Sequence, residues 1–77
     1  MAALEIEYCV PCGHRANALE TADAILDAHA DAVDSVGLVP GGGGVFEVRT
    51  DDEVILDTDE EAYDRDAIVE RIGDAVA

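Results

Sequence analysis

Two cysteines separated by two residues are the strongest chemical feature of this sequence, in the run Cys9-Val10-Pro11-Cys12. The short spacing lets a disulfide close between the two thiols, and such a pair can exchange with other thiols. Pro11 fixes one backbone angle between the cysteines, and Gly13 lets the chain turn closely into the next element. We therefore predict a redox-active pair at Cys9 and Cys12, supported by Pro11 and Gly13.

Charge acts on this pair in two opposing ways. Arg15 carries a permanent positive charge and His14 a possible one, and the N-terminus of a following helix would add a positive dipole. These local groups favour the reactive thiolate, whereas the net charge of -15 disfavours it. Concentrated salt screens the distant carboxylates more than the local groups. The sequence thus predicts an activated thiol, with His14 and Arg15 as supporting residues.

Zinc binding is the main alternative for the same residues. Cys9, Cys12 and His14 could supply three ligands, but no second Cys-x-x-Cys or closely spaced histidine pair supplies a fourth. A carboxylate or a second subunit would have to complete the site. His29 falls several turns further along the predicted helix, and we interpret it as a packing residue. A purely structural or interaction role for the cysteines also stays open, but redox chemistry is favoured, and no cofactor is expected.

The motif should lie between a strand and a helix. Leu4, Ile6 and Tyr8 alternate with glutamates, which indicates a strand that is buried on one face and ends at Cys9. After Gly13 a helical spacing begins. Its predicted apolar face comprises Leu19, Ala22, Leu26, His29 and Val33, and its acidic stripe comprises Glu20, Asp23, Asp27, Asp31 and Asp34.

Three further strands and a second helix are expected. A second strand is predicted over Val36–Val39, between Ser35 and Pro40, and the glycine run 41–44 then forms a loop. Val45–Arg49 and Val54–Asp57 are typical of a hairpin joined by residues 50–53. Asp64 or Asp66 could cap a final helix whose apolar face holds Ala67, Ile68, Ile72 and Val76, with Gly73 weakening its last turn.

The resulting order, β-α-β-β-β-α, predicts an α/β (α+β) fold with a four-stranded mixed sheet. A right-handed crossover makes the first two strands parallel, and the hairpin adds antiparallel strands. The glutamates on the strands suggest that both helices cover one sheet face. We expect residues 1–77 to form a single domain, because 77 residues suffice for one small core.

Composition narrows the function classes further. Asp and Glu number 19 against four Arg and no Lys, which argues against nucleic acid and anionic membrane as partners. Such acidity suggests a protein adapted to concentrated salt, and we expect a halophilic archaeon as its source. No signal peptide or membrane span is predicted, so we expect a cytoplasmic protein, either a monomer or a weak dimer.

Two segments together resemble the Rdx family, the group that contains selenoprotein W. They are the strand Leu4–Tyr8 running into Cys9–Gly13, and the run Gly44–Val48, which looks like that family's Gly-x-Phe-Glu-Val strand. The resemblance implies a thioredoxin-like fold and a redox role with partners that are protein thiols or a low-molecular-weight thiol such as glutathione.

The resemblance also bears on which cysteine attacks. By thioredoxin logic the first cysteine, Cys9, would attack, whereas selenoprotein W carries selenocysteine at the position of Cys12. The family pattern therefore favours Cys12 as the attacking thiol and Cys9 as its resolving partner. Gly44, in place of a proline, directly precedes the third predicted strand, so the cis-proline clamp of thioredoxins does not carry over.

Overall fold

The computed structural model describes residues 2–51 and 53–76 and has the predicted β-α-β-β-β-α order. The elements are β1 (Ala2–Cys9), α1 (Arg15–His29), β2 (Val33–Gly41), β3 (Phe46–Arg49), β4 (Val54–Asp57) and α2 (Arg65–Val76). The strands are ordered β2-β1-β3-β4. β1 pairs parallel with β2 and antiparallel with β3, and β3 pairs antiparallel with β4, which confirms the mixed sheet and the hairpin. Asp52 and the two terminal residues lie outside the described residues.

One face of the sheet carries the core. Leu4, Ile6 and Tyr8 are all buried on β1, as their alternation predicts. Tyr8 pairs with Phe46 and Ile6 with Val48, so the apolar rows of β1 and β3 lie side by side. Both helices contribute to the same core cluster, which confirms that they cover one face of the sheet. Their buried members are Ala18 and Ile25 of α1, and Ile68 and Ile72 of α2.

β2 is longer than the sequence predicts. It was expected over Val36–Val39 but runs over Val33–Gly41, and its parallel register with β1 continues to the pair Cys9 and Gly41. Pro40, which the sequence predicts as a boundary of this strand, lies within it opposite Tyr8. β2 is an edge strand, and an edge strand tolerates proline because its outward N–H has no ladder partner to lose.

The predicted buried face of α1 is wrong by about one residue. Ala18, Thr21 and Ile25 are buried, whereas Leu19 is 51% exposed and Leu26 is 44% exposed. The row Ala18, Thr21 and Ile25 therefore faces the core, and the larger Leu19 and Leu26 lie outside it. The Thr21 hydroxyl donates to the Asn17 carbonyl at 2.7 Å, so its burial leaves no polar atom unpaired. Three other residues assigned to this helix lie beyond its end at His29, namely Asp31, Val33 and Asp34.

Asp64 provides the cap of α2. The Ala67 amide donates to Asp64 Oδ1 at 3.1 Å, which decides between the two candidate caps in favour of Asp64. Ile68 and Ile72 are buried as predicted, while Ala67 and Val76 are half-buried at the edge of the apolar face. Within residues 2–51 and 53–76, neither helix is long and apolar enough to cross a membrane.

The sheet face opposite the helices carries a charge cluster. Arg49 pairs with Glu5 at 3.0 Å, with Glu7 at 3.2 Å and with Glu47 at 2.6 Å. The hydrogen bond to Glu47, followed by that to Glu7, raises the pKa of Arg49 above its ordinary value. One guanidinium thus bridges carboxylates from β1 and β3 across the exposed face.

Candidate functional site: the Cys9–Cys12 turn

The cysteine motif occupies the turn between β1 and α1, as the sequence predicts. β1 ends at Cys9, and α1 begins at Arg15. Within the turn, the Gly13 amide donates to the Val10 carbonyl at 3.2 Å, and the His14 amide donates to the Cys9 carbonyl at 3.3 Å. Gly13 has a φ of 78°, a left-handed conformation that glycine adopts without a steric penalty. This glycine therefore allows the sharp entry into the helix.

Cys9 and Cys12 form a disulfide across this turn, with 5.3 Å between their Cα atoms. The two residues differ sharply in environment. Cys9 is 0% exposed, whereas Cys12 is exposed, together with its neighbours Val10 and Pro11. An incoming thiol or disulfide can therefore reach the Cys12 side of the bond, while the protein covers the Cys9 side.

Both ends of the glycine-rich loop hold the motif in place. The Cys9 amide donates to the Val45 carbonyl at 2.8 Å, after the loop, and the Val10 amide donates to the Gly41 carbonyl at 3.1 Å, before it. Gly41 has little room for a side chain. A Cβ there would lie 2.9 Å from Glu7 Oε2 and 3.1 Å from Val45 Cγ1. Gly41 thus lets β2 approach β1 closely beside Cys9.

The first turn of α1 favours negative charge at the motif. Its N-cap residue, His14, makes no capping hydrogen bond with its side chain, and residues 15–18 include no acidic residue. The amide groups and dipole of the helix N-terminus therefore act on the adjacent turn without a competing carboxylate in that first turn. Arg15 is exposed at the first helical position and makes no ion pair with any residue of the described ranges.

The imidazole of His14 is fixed beside the motif. Its Nδ1 lies 3.3 Å from the Val45 carbonyl oxygen, the same oxygen that accepts from the Cys9 amide. Because a carbonyl only accepts, Nδ1 is the protonated nitrogen of the neutral ring in this contact. The ring also meets Phe46 edge-on, with the centroids 6.1 Å apart. His14 is therefore held by backbone and core contacts close to Cys9.

The proposed zinc ligands do not assemble into a recognisable metal cluster in the part of the chain that the structure describes. There, no group of three or more His, Cys, Asp or Glu side chains has an arrangement that could hold a metal ion. In the disulfide the Cys9 and Cys12 sulfurs are bonded to each other, while the His14 contact to Val45 uses Nδ1 and leaves Nε2 out of it.

Two backbone groups of the site could not be predicted from the sequence. The carbonyls of Gly41 and Val45 accept hydrogen bonds from the motif, but backbone acceptors leave no signature in residue type. The only available signal is the glycine run itself, which indicates that a chain can pass close by. The run is predicted as a loop, and the structure places its two ends beside the cysteine motif.

The chain belongs to the Rdx family, because the family model matches residues 3–74. Among solved structures, the chain is 25% identical to a protein of Bordetella parapertussis, with 96% of each chain covered and a TM-score of 0.90. It is 23% identical to a selenoprotein W-related protein from Vibrio cholerae, with 99% of this chain and 98% of that chain covered and a TM-score of 0.92. The latter likeness supports the shared fold alone. No curated protein sequence matches the chain.

Proposed function

We propose that this Rdx-family protein is a small thiol–disulfide redox protein that cycles between a dithiol and the Cys9–Cys12 disulfide. The observation that carries the proposal is the pairing of one buried and one exposed cysteine, within disulfide distance, at the start of a helix. A structural disulfide has no need of an exposed sulfur. The proposed partners are protein thiols or a low-molecular-weight thiol.

Cys12 is the attacking thiol in this proposal, and Cys9 is the resolving thiol. Exposure supports this order, since an attacking sulfur must reach an external disulfide and Cys9 is fully covered. α1 begins at Arg15, three positions after Cys12, and the helix N-terminus and the Arg15 charge favour a thiolate at Cys12. His14, held on the Val45 carbonyl, can add a further positive charge when it is protonated.

The exchange proceeds in two balanced steps. In the first step, the Cys12 thiolate attacks one sulfur of a substrate disulfide and forms a bond to it. The other substrate sulfur leaves as a thiolate and takes up a proton. Cys9, after losing its proton, then attacks the Cys12 sulfur and releases the second substrate thiol. The protein dithiol loses two electrons and the substrate disulfide gains them. The reverse sequence passes electrons from a substrate dithiol to the protein.

The test is intact mass and zinc content across a series of redox buffers at high salt. We expect the oxidised protein to be lighter by two hydrogen atoms, with the change centred on a defined midpoint, and we expect no bound zinc. Zinc that persists in the reduced protein, or cysteines that never pair, would contradict the proposal. Either result would favour a noncatalytic interaction or zinc-binding domain instead.

Single-cysteine variants test the order of attack. Cys9→Ser leaves the exposed thiol, and we expect it to form a mixed disulfide with a small disulfide reagent about tenfold faster than Cys12→Ser. Both variants lose one thiol and gain one hydroxyl, so they are matched in composition. Faster capture by Cys12→Ser would reverse the assigned roles without removing the redox function.

A further inference from the structure

A cavity of about 230 Å³ adjoins the cysteine turn at the first turn of α1. It is lined by His14, Asn17, Phe46, Thr58 and Tyr63. His14 connects it to the motif, since its backbone amide bonds to the Cys9 carbonyl and its ring shares the Val45 oxygen with the Cys9 amide. The volume corresponds to roughly eight liquid water molecules, which suits one amino-acid side chain better than a large ligand.

The lining of this cavity contrasts with the acidic surface around it. A second cavity is lined in part by Glu53, Asp74 and Arg71, and a third in part by Asp23, Asp27, Arg65 and Asp66. The cavity beside the motif contains no carboxylate among its lining residues, in a chain with 19 acidic residues. An uncharged group can therefore enter it without facing a carboxylate in the cavity wall.

Three rings shape the wall of the cavity. Phe46 meets His14 edge-on at 6.1 Å and Tyr63 edge-on at 5.2 Å between centroids. The Tyr63 hydroxyl is already engaged, 2.9 Å from the Thr21 hydroxyl, and it donates to Glu20 at 3.3 Å. The position of the Tyr63 ring is thus fixed, and rings of this kind pack well against another aromatic group.

We infer that this cavity is a substrate subsite for an uncharged aromatic side chain next to the reacting cysteine of a protein substrate. The inference rests on the proposed redox function and specifies its substrate class. A substrate cysteine bound at Cys12 would lie two positions from His14, which lines the cavity, so its neighbouring residue would come within reach of the subsite. Selection would come from the shape and the uncharged lining of the subsite, in addition to the reactivity of the thiol.

The test compares two disulfide-linked peptide dimers of equal length and net charge, with Tyr or Ala next to cysteine. We expect the Tyr peptide to oxidise the reduced protein about five to ten times faster than the Ala peptide, because ring burial favours the encounter complex. Since the peptides carry equal charge, screening should act equally on both, and the Tyr peptide should stay the faster one at low and high salt. Equal rates for the two peptides would overturn the inference.

Variants that fill the cavity sharpen the test. Asn17→Leu and Thr58→Leu each place a larger side chain in the lining, and we expect both to bring the Tyr/Ala ratio close to one. Ala28→Leu adds an apolar side chain to the same helix, about 16 Å along its axis from Asn17, and should keep the ratio. An undiminished ratio in both filled variants would overturn the inference. Failure of both peptides and of a small disulfide reagent to oxidise the protein would instead refute the redox function.

Discussion

The imidazole of His29 occupies the space in which a side chain on Gly73 would begin. A Cβ added at Gly73 would lie 2.9 Å from His29 Cε1 and 3.2 Å from its Nε2. The ring is also tied to α2, because Nε2 donates to the Val69 carbonyl at 2.9 Å. The two helices therefore meet where only glycine fits without a shift. His29 is the packing residue that the sequence predicts, and Gly73 has a role in that packing beyond weakening the helix.

Gly73→Ala is expected to destabilise the protein although alanine is the better helix former. Overpacking against His29 should outweigh the propensity gain of up to about 1 kcal/mol and lower the free energy of unfolding by about 1 kcal/mol. Denaturant unfolding at fixed salt measures this. In a His29→Ala background the same substitution should stabilise the protein by about 0.5–1 kcal/mol. Equal effects in the two backgrounds would contradict the contact.

Gly41→Ala and Gly42→Ala form a matched pair beside the motif. A Cβ at Gly41 would meet Glu7 and Val45, whereas a Cβ at Gly42 would meet nothing within 4 Å. We expect Gly41→Ala to lower the free energy of unfolding by about 1–3 kcal/mol, and Gly42→Ala to change it by less than about 0.5 kcal/mol.

The same pair should differ in cysteine accessibility. Gly41 is the register partner of Cys9, so displacing β2 should let an alkylating agent reach the reduced Cys9 thiol faster in Gly41→Ala than in the parent protein. Peptide mapping after timed alkylation measures the rate at each cysteine. Unchanged protection of Cys9 in Gly41→Ala would show that the close approach of β2 does not cover this thiol.

Removing the Arg49 guanidinium should destabilise the protein in a salt-dependent way. Arg49→Gln leaves Glu5, Glu7 and Glu47 facing one another without a cation, and we expect a loss of about 1–2 kcal/mol at low salt. Salt at about 2 M should remove most of this loss, because the screening length falls to about 3 Å or less. Arg65→Gln, at an exposed pair with Glu20, is the control and should cost less. A loss that is unaffected by salt would argue against charge repulsion.

Tyr63 should make stability fall at alkaline pH. Burial, followed by the nearby Glu20 charge, raises the pKa of Tyr63 above its ordinary value of 10.0. A pKa that is higher in the folded state gives stability that is fully present below the unfolded-state pKa and is lost as pH rises through the folded-state pKa. The free energy of unfolding of the oxidised protein should therefore fall above about pH 10 more steeply than that of Tyr63→Phe. Parallel pH profiles for the two proteins would contradict this prediction.

The local features of the fold could be read from the sequence because each has a short-range cause. Four features follow from residues within a few positions of one another. They are the alternation in β1, the Cys9–Gly13 turn, the strand Val54–Asp57 and the capped start of α2. The cysteine pair could also be predicted from the sequence, since its spacing and its placement before a helix are local properties.

The features that sequence reasoning missed depend on distant contacts. The buried face of α1 includes Thr21, whose hydroxyl lies 2.9 Å from that of Tyr63, 42 residues away, while the larger Leu19 and Leu26 lie outside. Pro40 continues β2 because that strand happens to be an edge. Arg49 pairs with Glu5, which lies 44 residues away in the sequence. None of these relationships is visible before the strand order is known.

The hydrogen bonds from Cys9 to Val45 and from Val10 to Gly41 link the stability of the fold to the reduction potential of the disulfide. These two quantities are usually measured separately. Cysteines three positions apart can also join in an unfolded chain, where the short loop constrains little. A thermodynamic cycle over folding and oxidation must close. The difference in unfolding free energy between the oxidised and reduced protein therefore equals the difference in the free energy of oxidation between folded and unfolded chains. Any substitution at these distant anchors that favours one redox state of the folded turn will tune the reduction potential and the stability together.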